Sequence, residues 1–459
     1  MTPRIVVVGA DAAGASAAST IKRRQPTWEV VVLEKSRDTS YAACGLPYWV
    51  AGQVATRSDL IARTPAQHRA NGLDLQLGAE VTGIDLAAGR VTCQREGGEE
   101  SHPYDTLVIA TGATPMRPPI PGINAPNVGA IHTLDGTAEM ISWLDRIRPL
   151  AAGAAIEAVV IGAGYVGIEM AEAFLDRDLS VTVIDVADTP MTSLDPDFGQ
   201  LLAERMRAQG IQLVLGSAVR EIELDAEGLA SAVITDKDHF PAQIVVAALG
   251  IRPNTGFAAS SGLATGTSGG FLTDRRQRAV NHPEVFAAGD CTESYHRLLR
   301  RTMNIPLGTH ANKQGLVAGE NAAGGYRTFP GVIGTAITKV GDTHIARTGL
   351  TEADAAGAGF DAVSATVRTP VIAGYMPDPG TMTTRLLAEK GTGRLLGGQI
   401  IGDRVNAAKR IDTVAVAVWT GLTAEEVTGL DLAYAPPSSG VWDPVQVAAR
   451  RLVSALGAS

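Results

Sequence analysis

Two stretches of the chain repeat one pattern of apolar and glycine positions. Ile5 to Val8 is a short β-branched run, followed by Gly9 and Gly14, an Ala/Ser-rich segment to Arg24, and a second apolar run from Val30 to Leu33. This order predicts a buried strand, a tight turn, a helix and another buried strand, the βαβ unit that opens a doubly wound sheet. The pattern returns at Ala158 to Ile161, with Gly162, Gly164 and Gly167, a helix through Asp176, and the strand Val181 to Ile184. Between the two, Pro115, Pro118, Pro119, Pro121 and Gly122 interrupt any helix or strand, and a domain crossing is expected there. A second crossing is expected near Gly250 to Asn254, where the strand Ile244 to Leu249 runs into Gly-Ile-Arg-Pro-Asn. After roughly Gly325 come alternating segments such as Thr384 to Ala388 and Gln399 to Ile401, then a helix-like Ala407 to Trp419. The expected fold class is α/β, with two Rossmann-like dinucleotide-binding domains and a C-terminal α+β domain.

Composition narrows the partners. The 459 residues admit two or three domains, and 45% hydrophobic against 19% charged residues excludes global disorder. With 39 basic and 48 acidic residues the net charge is −9 and there is no basic tail, so neither nucleic acid nor an anionic membrane surface is an expected partner. The apolar runs are cut by Gly and charge well short of the ~20 residues a membrane span requires, and Met1 to Arg4 shows no signal-peptide pattern. Cys44, Cys93 and Cys291 form no CxxC pair and no disulfide framework, which fits a reducing cytoplasm, and no metal site is expected.

Both glycine loops have the chemistry of a phosphate cradle, since a pyrophosphate needs backbone N–H groups at a helix N-terminus and glycines that let the chain approach. Gly162-Ala-Gly164-Tyr165-Val166-Gly167 supplies the full GxGxxG, and Asp185 closes the next strand. That is near the roughly 20-residue offset at which a carboxylate meets a ribose 2′-hydroxyl. An acid there repels a 2′-phosphate, and Val186 stands where an NADP site favours Arg, so NADH is expected over NADPH. The first loop, Gly9-Ala-Asp11-Ala-Ala-Gly14, keeps the outer glycines but has Asp11 at the second, with Glu34 ending the following strand. Val108-Ile-Ala110-Thr111-Gly112 and Val285-Phe-Ala-Ala-Gly289-Asp290 each read as a buried strand ending in a small-residue turn that a flavin dinucleotide could approach.

Together with Ser40-Tyr-Ala-Ala43-Cys44-Gly45-Leu46-Pro47-Tyr48 and Ala433-Tyr434-Ala-Pro-Pro437, these segments closely resemble the single-cysteine pyridine nucleotide-disulfide oxidoreductases. That family includes coenzyme A-disulfide reductases, NADH oxidases, NADH peroxidases and persulfide reductases. The resemblance spans essentially the whole chain. It implies an FAD-binding domain at residues 1–115 and 250–325, an NAD(P)H-binding domain at 116–249, and a dimerisation domain at 326–459 that makes a homodimer. It also implies that Lys35, Val81, Ala110, Ala311 and Gly250 join the glycines and acids above in holding the cofactors.

Moving two electrons from a hydride to a disulfide needs a flavin relay and a thiolate that can attack sulfur, leaving a mixed disulfide. Cys44 is expected to be that thiolate, favoured by a helix opening at Gly45, while Cys93 and Cys291 are expected to be structural. No second cysteine follows Cys44 within six residues, so no internal redox disulfide is expected. In peroxidase and oxidase members a histidine in the first glycine loop supports a sulfenic acid; Ala12 stands there, which tilts the expectation away from peroxide or oxygen as acceptor. The resemblance implies two tyrosines of the dimer partner beside the sulfur, matched by Tyr375 and Tyr434, and a phenol can donate to a leaving thiolate. Ser40 is placed to hydrogen-bond the sulfur, and Arg23, Ser40 and Ala43 are the substrate-binding candidates. Arg23 matches a coenzyme A contact, whereas Ala43 stands for the usual Asn, Trp442 for a basic residue and Gly72 for a Lys.

The expected activity is FAD-dependent, NAD(P)H-driven reduction of coenzyme A disulfide or a related small disulfide. An NADH oxidase or a per- or polysulfide reductase using the same cysteine is the alternative, although no rhodanese-like stretch follows the C-terminal module to favour sulfur transfer. A flavoprotein that reduces a protein carrier, with Cys44 dispensable, and a slow redox-sensing module are the readings from other classes.

Overall fold

Residues 2–150 and 155–458 are described by a computed structural model. Two compact units result, Met1–Met116 with His132–Ala138 and Gly250–Val332, and Arg117–Ile131 with Glu139–Leu249 and Ile333–Ser459. Residues 132–138 join the first unit through Arg57, whose Nη1 lies 2.7 Å from Asp135 Oδ1, and through Tyr41, whose hydroxyl donates to His132 O at 3.3 Å.

The first unit is built on a six-stranded sheet in the order Arg278–Ala279, His282–Ala287, Thr106–Ile109, Arg4–Val8, Glu29–Glu34, Asp74–Leu77. Arg4–Val8 pairs in parallel with both neighbours, Val8 standing opposite Leu33 on one side and Ile109 on the other. Val6, Val7, Val31, Leu107 and Val108 are buried, as β-branched and aliphatic strand centres covered on both faces must be. The helices Ala12–Arg24 and Gly308–Ala322 lie against each other, and small residues make this possible. A Cβ on Gly315 would run into the carbonyl of Ala13, and one on Gly319 into that of Ala17. An antiparallel meander, Glu80–Asp85, Arg90–Arg95 and Gly98–Pro103, stands beside the sheet in the same unit. Ala113–Pro115 pairs with Ile251–Pro253, so the proline cluster begins where a short edge pairing ends.

The second unit contains a parallel sheet in the order Gln212–Val214, Ser180–Ile184, Glu157–Ile161, Ile244–Ala247, Val128–Gly129. It also contains a five-stranded antiparallel sheet in the order Ala336–Val340, Thr343–Gly349, Leu395–Gly402, Thr381–Glu389, Ala362–Pro370. The single helix expected over Ala407 to Trp419 is two helices, Val405–Lys409 and Ile411–Thr420. The break falls at Arg410, whose guanidinium donates to Asn406 O, Val371 O, Ser438 O and the Asp443 carboxylate. No helix among the described residues is long and apolar enough to cross a membrane.

Candidate active site

The first cradle forms at the carboxyl end of Arg4–Val8, where ligands bind in open parallel sheets. Gly9 has φ +98°, and a Cβ on it would strike the Ala110 carbonyl, while a Cβ on Gly14 would strike the Gly9 carbonyl. Both outer glycines are therefore demanded by close approach of strand, turn and helix. Asp11, the cap of the helix Ala12–Arg24, has an extended backbone (φ −96°), so the position needs no glycine for conformational reasons. Its Oδ1 accepts from Tyr41 N at 3.1 Å, and burial, with Glu34 and Asp290 nearby, pushes its carboxyl up to about 7. Glu34 closes the loop from the far side, Oε2 accepting from Ala10 N at 2.7 Å and Oε1 from Ser36 N at 2.8 Å. Lys35, next along the chain, is exposed.

Neighbouring strand ends bring the other first-unit candidates to the same edge of the sheet. Ala110 N donates to Val8 O, and Thr111 and Gly112 are stitched to Asn254: Thr111 Oγ1 to Asn254 O at 2.7 Å, Asn254 Nδ2 to Thr111 O at 2.9 Å, and Asn254 N to Gly112 O at 2.9 Å. Gly289 turns with φ +85°, its N–H donating to Gln314 Oε1 at 2.8 Å, and Ala13 and Ala311 lie where a Cβ on it would point. Burial raises the carboxyl of Asp290. Gly250 (φ +89°) accepts from Met116 N at 2.9 Å, joining the two strands of the edge pairing. Val81 lies in the meander, buried with Cys93. A helix N-terminus, close-approach glycines, a strand-end carboxylate and two small-residue turns on one sheet edge fit an FAD.

The second cradle repeats the geometry. Gly162 has φ +107°, a Cβ on it would strike the Ala248 carbonyl, and a Cβ on Gly167 would strike the Gly162 carbonyl. Asp185 Oδ2 accepts from Ala163 N at 2.6 Å and Oδ1 from Ala187 N at 2.8 Å. Gly164 differs from its neighbours, since its φ is negative and a Cβ on it would meet no protein atom within 4 Å. Nothing in the protein requires glycine there, and the open space above it fits the approach of a dinucleotide pyrophosphate. Tyr165 and Val166 open the helix Tyr165–Leu175; burial raises the Tyr165 phenol, while Val166 is partly exposed and Val186, after Asp185, is 74% exposed. The sequence reasoning missed Glu169 on this helix. Burial pushes its carboxyl up to about 7, and Thr338 Oγ1 donates to it at 3.1 Å. An acid on a largely apolar helix face two residues past Gly167 was the available signal.

Cys44 is exposed and not disulfide-bonded, whereas Cys93 and Cys291 are buried. Burial pushes the Cys291 thiol up to about 11 and also raises that of Cys93. Cys44 lies in a tight turn, Ala43–Gly45, that leads into a helix of only five residues, Leu46–Val50, so the expected dipole contribution is small. The loop before it is pinned to the first cradle by Ser40 N donating to Ala10 O and Tyr41 N to Asp11, and to residues 60–62 by Ala42 N donating to Leu60 O and Ala62 N to Ser40 O. Ala43 is exposed beside the cysteine. Ser40 has a left-handed backbone (φ +48°), and its hydroxyl is bonded to His68 Nε2 at 2.9 Å, a partner on a buried side chain that no spacing in the sequence announced.

The remaining candidates lie at the surface. Arg23 is exposed, its guanidinium donating to Thr20 Oγ1, while Lys22 is tied to Trp28 O and Arg24 to Glu320. Gly72 has φ +83°, so a lysine at 72 would be strained, and a Cβ there would push aside the end of the Lys22 side chain. In the second unit Tyr375 and Tyr434 are exposed, and the neighbouring Tyr434 raises the Tyr375 phenol. Trp442 is half-exposed under Arg450, and Asp443 accepts from Val445 N at the start of the helix Pro444–Ala458.

Two dinucleotide cradles of one geometry and an exposed cysteine loop bonded to the first of them define a class, and sequence comparison agrees. Residues 3–315 match the model of the pyridine nucleotide-disulphide oxidoreductases, and residues 335–444 that of their dimerisation domain. The chain belongs to this family of FAD- and NAD(P)H-dependent oxidoreductases. It is 37% identical over 454 residues, 98% of this chain and 99% of the relative, to an NAD(P)H coenzyme A polysulfide/persulfide reductase of Pyrococcus horikoshii. It is 30% identical over 449 residues to an NADH oxidase of Methanocaldococcus jannaschii, covering 97% of this chain and 98% of the relative. The structure of an NAD-dependent persulfide reductase from A. fulgidus superimposes with a TM-score of 0.94 at 36% identity, over 99% of this chain and 84% of that one.

Proposed function

We propose that the chain is an NADH-preferring reductase of small sulfur–sulfur bonds, with coenzyme A disulfide or a related disulfide as acceptor and Cys44 as the attacking sulfur. The observation that carries this reading is the exposed Cys44 on a loop whose backbone is bonded to the first cradle at Ala10 and Asp11. In this reading residues 1–115 and 250–325 hold FAD, 116–249 hold NADH, and 326–459 pair two copies of the chain. Bound FAD supplies the relay that accepts a hydride from NADH and delivers two electrons to sulfur.

Gly9, Gly14 and Glu34 seat the FAD pyrophosphate and ribose, and Gly162, Gly164, Gly167 and Asp185 seat those of NADH. The Cys44 thiolate attacks one sulfur of the substrate, forming a Cys44–substrate disulfide and expelling the first thiolate. Two electrons and one proton then break that bond, releasing the second thiol and restoring the Cys44 thiolate. The paired phenols Tyr375 and Tyr434, supplied by the second copy, donate the proton to a departing thiolate. Arg23 offers a guanidinium to a substrate phosphate, and Lys22 contributes charge over Gly72.

The relatives named for persulfides favour a second reading on the same cysteine. Attack of Cys44 on the inner sulfur of a coenzyme A persulfide expels hydrosulfide and leaves the same mixed disulfide. A relative so named is covered to 99% of its length by this alignment, so an appended module is not required for that chemistry in that protein.

The test is anaerobic NADH oxidation by the purified flavoprotein with coenzyme A disulfide and, separately, coenzyme A persulfide, beside Cys44→Ser. Turnover is expected to fall by about 10³-fold or more in the variant, while NADH still bleaches its flavin. Unchanged turnover in Cys44→Ser would overturn the assignment. Turnover with the persulfide alone would select the second reading, and none with either would direct attention to oxygen or a protein carrier.

A further inference from the structure

We propose that the antiparallel meander of the first unit carries a zinc-type metal site formed by Cys93, Glu100 and His102. Cys93 stands opposite Glu100 across the strands Arg90–Arg95 and Gly98–Pro103, and His102 lies two residues beyond Glu100. The period of two along a strand puts all three on one face. The Cys93 sulfur, a Glu100 oxygen and a His102 ring nitrogen lie within 4.8 Å of one another. Zinc–sulfur and zinc–nitrogen bonds of about 2.3 and 2.0 Å in a tetrahedron hold donor atoms roughly 3.3–3.6 Å apart, so small rotamer adjustments close the triangle.

A second observation points to a ligand. His102 is 8% exposed, and its Nε2 is buried without a hydrogen-bond partner, Glu100 Oε2 standing at ion-pair distance, 3.5 Å away. A buried imidazole nitrogen aimed at a thiol and a carboxylate is costly as it stands, and a cation resolves it. The set of sulfur, nitrogen and oxygen donors excludes the all-oxygen preference of magnesium and calcium and matches a borderline-soft divalent ion. Glu100, with 41% of its side chain exposed, opens the site to solvent, and Arg95 Nη1, 3.4 Å from both its oxygens, orients it. The ion would clamp two strands of the meander on the face shared with Val81, which pairs with Cys93 from the third.

The test uses the flavin-loaded protein, stripped with a chelator and dialysed against Zn²⁺, with metal counted by mass spectrometry. Co²⁺ is the spectroscopic surrogate, read as a thiolate-to-cobalt difference band. One tight equivalent is expected, retained in Cys44→Ser, lost in Cys93→Ala, and weakened at least about tenfold in Glu100→Gln and His102→Gln. Because Cys93 lies in the core, Glu100→Gln, at a partly exposed position, keeps the test decisive should Cys93→Ala fail to fold. Zn²⁺ is also expected to raise the thermal midpoint of the native chain by more than that of Glu100→Gln. No tight equivalent, or one that vanishes in Cys44→Ser and survives in Glu100→Gln and His102→Gln, would overturn the proposal.

Discussion

The two cradles superpose in their logic and part at one residue. In each, the first glycine turns beneath a neighbouring strand's alanine carbonyl, the last lies under the carbonyl of the first, and a strand-end acid holds the loop's second residue, Glu34 on Ala10 and Asp185 on Ala163. At the middle position one has Asp11, tied to Tyr41, and the other Gly164, with open space above it. The outer glycines answer to the fold, and the middle one answers to what approaches from outside. The first cradle has exchanged that openness for a side-chain bond to the loop bearing Cys44; the backbone bond beside it, Ser40 N to Ala10 O, is matched in the second cradle by Met191 N to Ala163 O.

The largest effects should come from the glycines the fold requires. Gly14→Ala and Gly167→Ala each place a methyl on a carbonyl, an overpacking of about 1–3 kcal/mol or more. Gly14→Ala is expected to purify with little flavin, and Gly167→Ala to stay yellow, resist bleaching by NADH and still be reduced by dithionite. Visible absorbance per protein and anaerobic NADH titration separate the two, and the reverse pattern would break the comparison.

Next come the acids. Glu34→Gln should lower FAD retention, and Asp185→Asn should raise the KM for NADH, each by about 10- to 160-fold if a charge-assisted bond of about 1.5–3 kcal/mol is lost. Asp185→Asn with Val186→Arg should shift preference toward NADPH, read as the ratio of kcat/KM values.

The smallest effect lies in pH dependence. Each cradle has a buried carboxyl near 7, Asp11 in the first and Glu169 in the second. Below pH ~4 such a group is protonated folded and unfolded alike. As pH rises toward 7 the native state keeps a proton that the unfolded chain has lost, so stability falls through that window and stays lower above it. Thermal midpoints at pH 5 and pH 8 should show Asp11→Asn gaining more on the native chain at pH 8 than at pH 5, with Glu169→Gln behaving alike. Equal midpoint differences at the two pH values would show that the carboxyl is not held up.

What the sequence disclosed follows the range of the forces involved. Ile5 to Val8, Gly9 and Gly14, Ala158 to Ile161 and Gly162 to Gly167 were legible because strand burial and glycine clearance act over a few residues. The break at Arg410 was not, since it is made by acceptors at Val371, Ser438 and Asp443. Nor was the hold of His68 on Ser40, 28 residues away, or the nearness of Tyr434 to Tyr375, which the sequence offered as separate motifs. The return of residues 132–138 to the first unit rests on Arg57 and Tyr41, far upstream. Periodicity carries no record of such partnerships.

The pairing of Ala113–Pro115 with Ile251–Pro253, reinforced by Asn254 on Thr111 and Gly112, joins the chain's point of departure to its point of return. It behaves as a clasp on a long excursion. Because the entropy of closing a flexible loop grows only with the logarithm of its length, doubling what runs between the clasped strands costs about 0.6 kcal/mol. The segment between Met116 and Gly250, which returns to the first unit at residues 132–138, is thus closed at its two ends by a single seam.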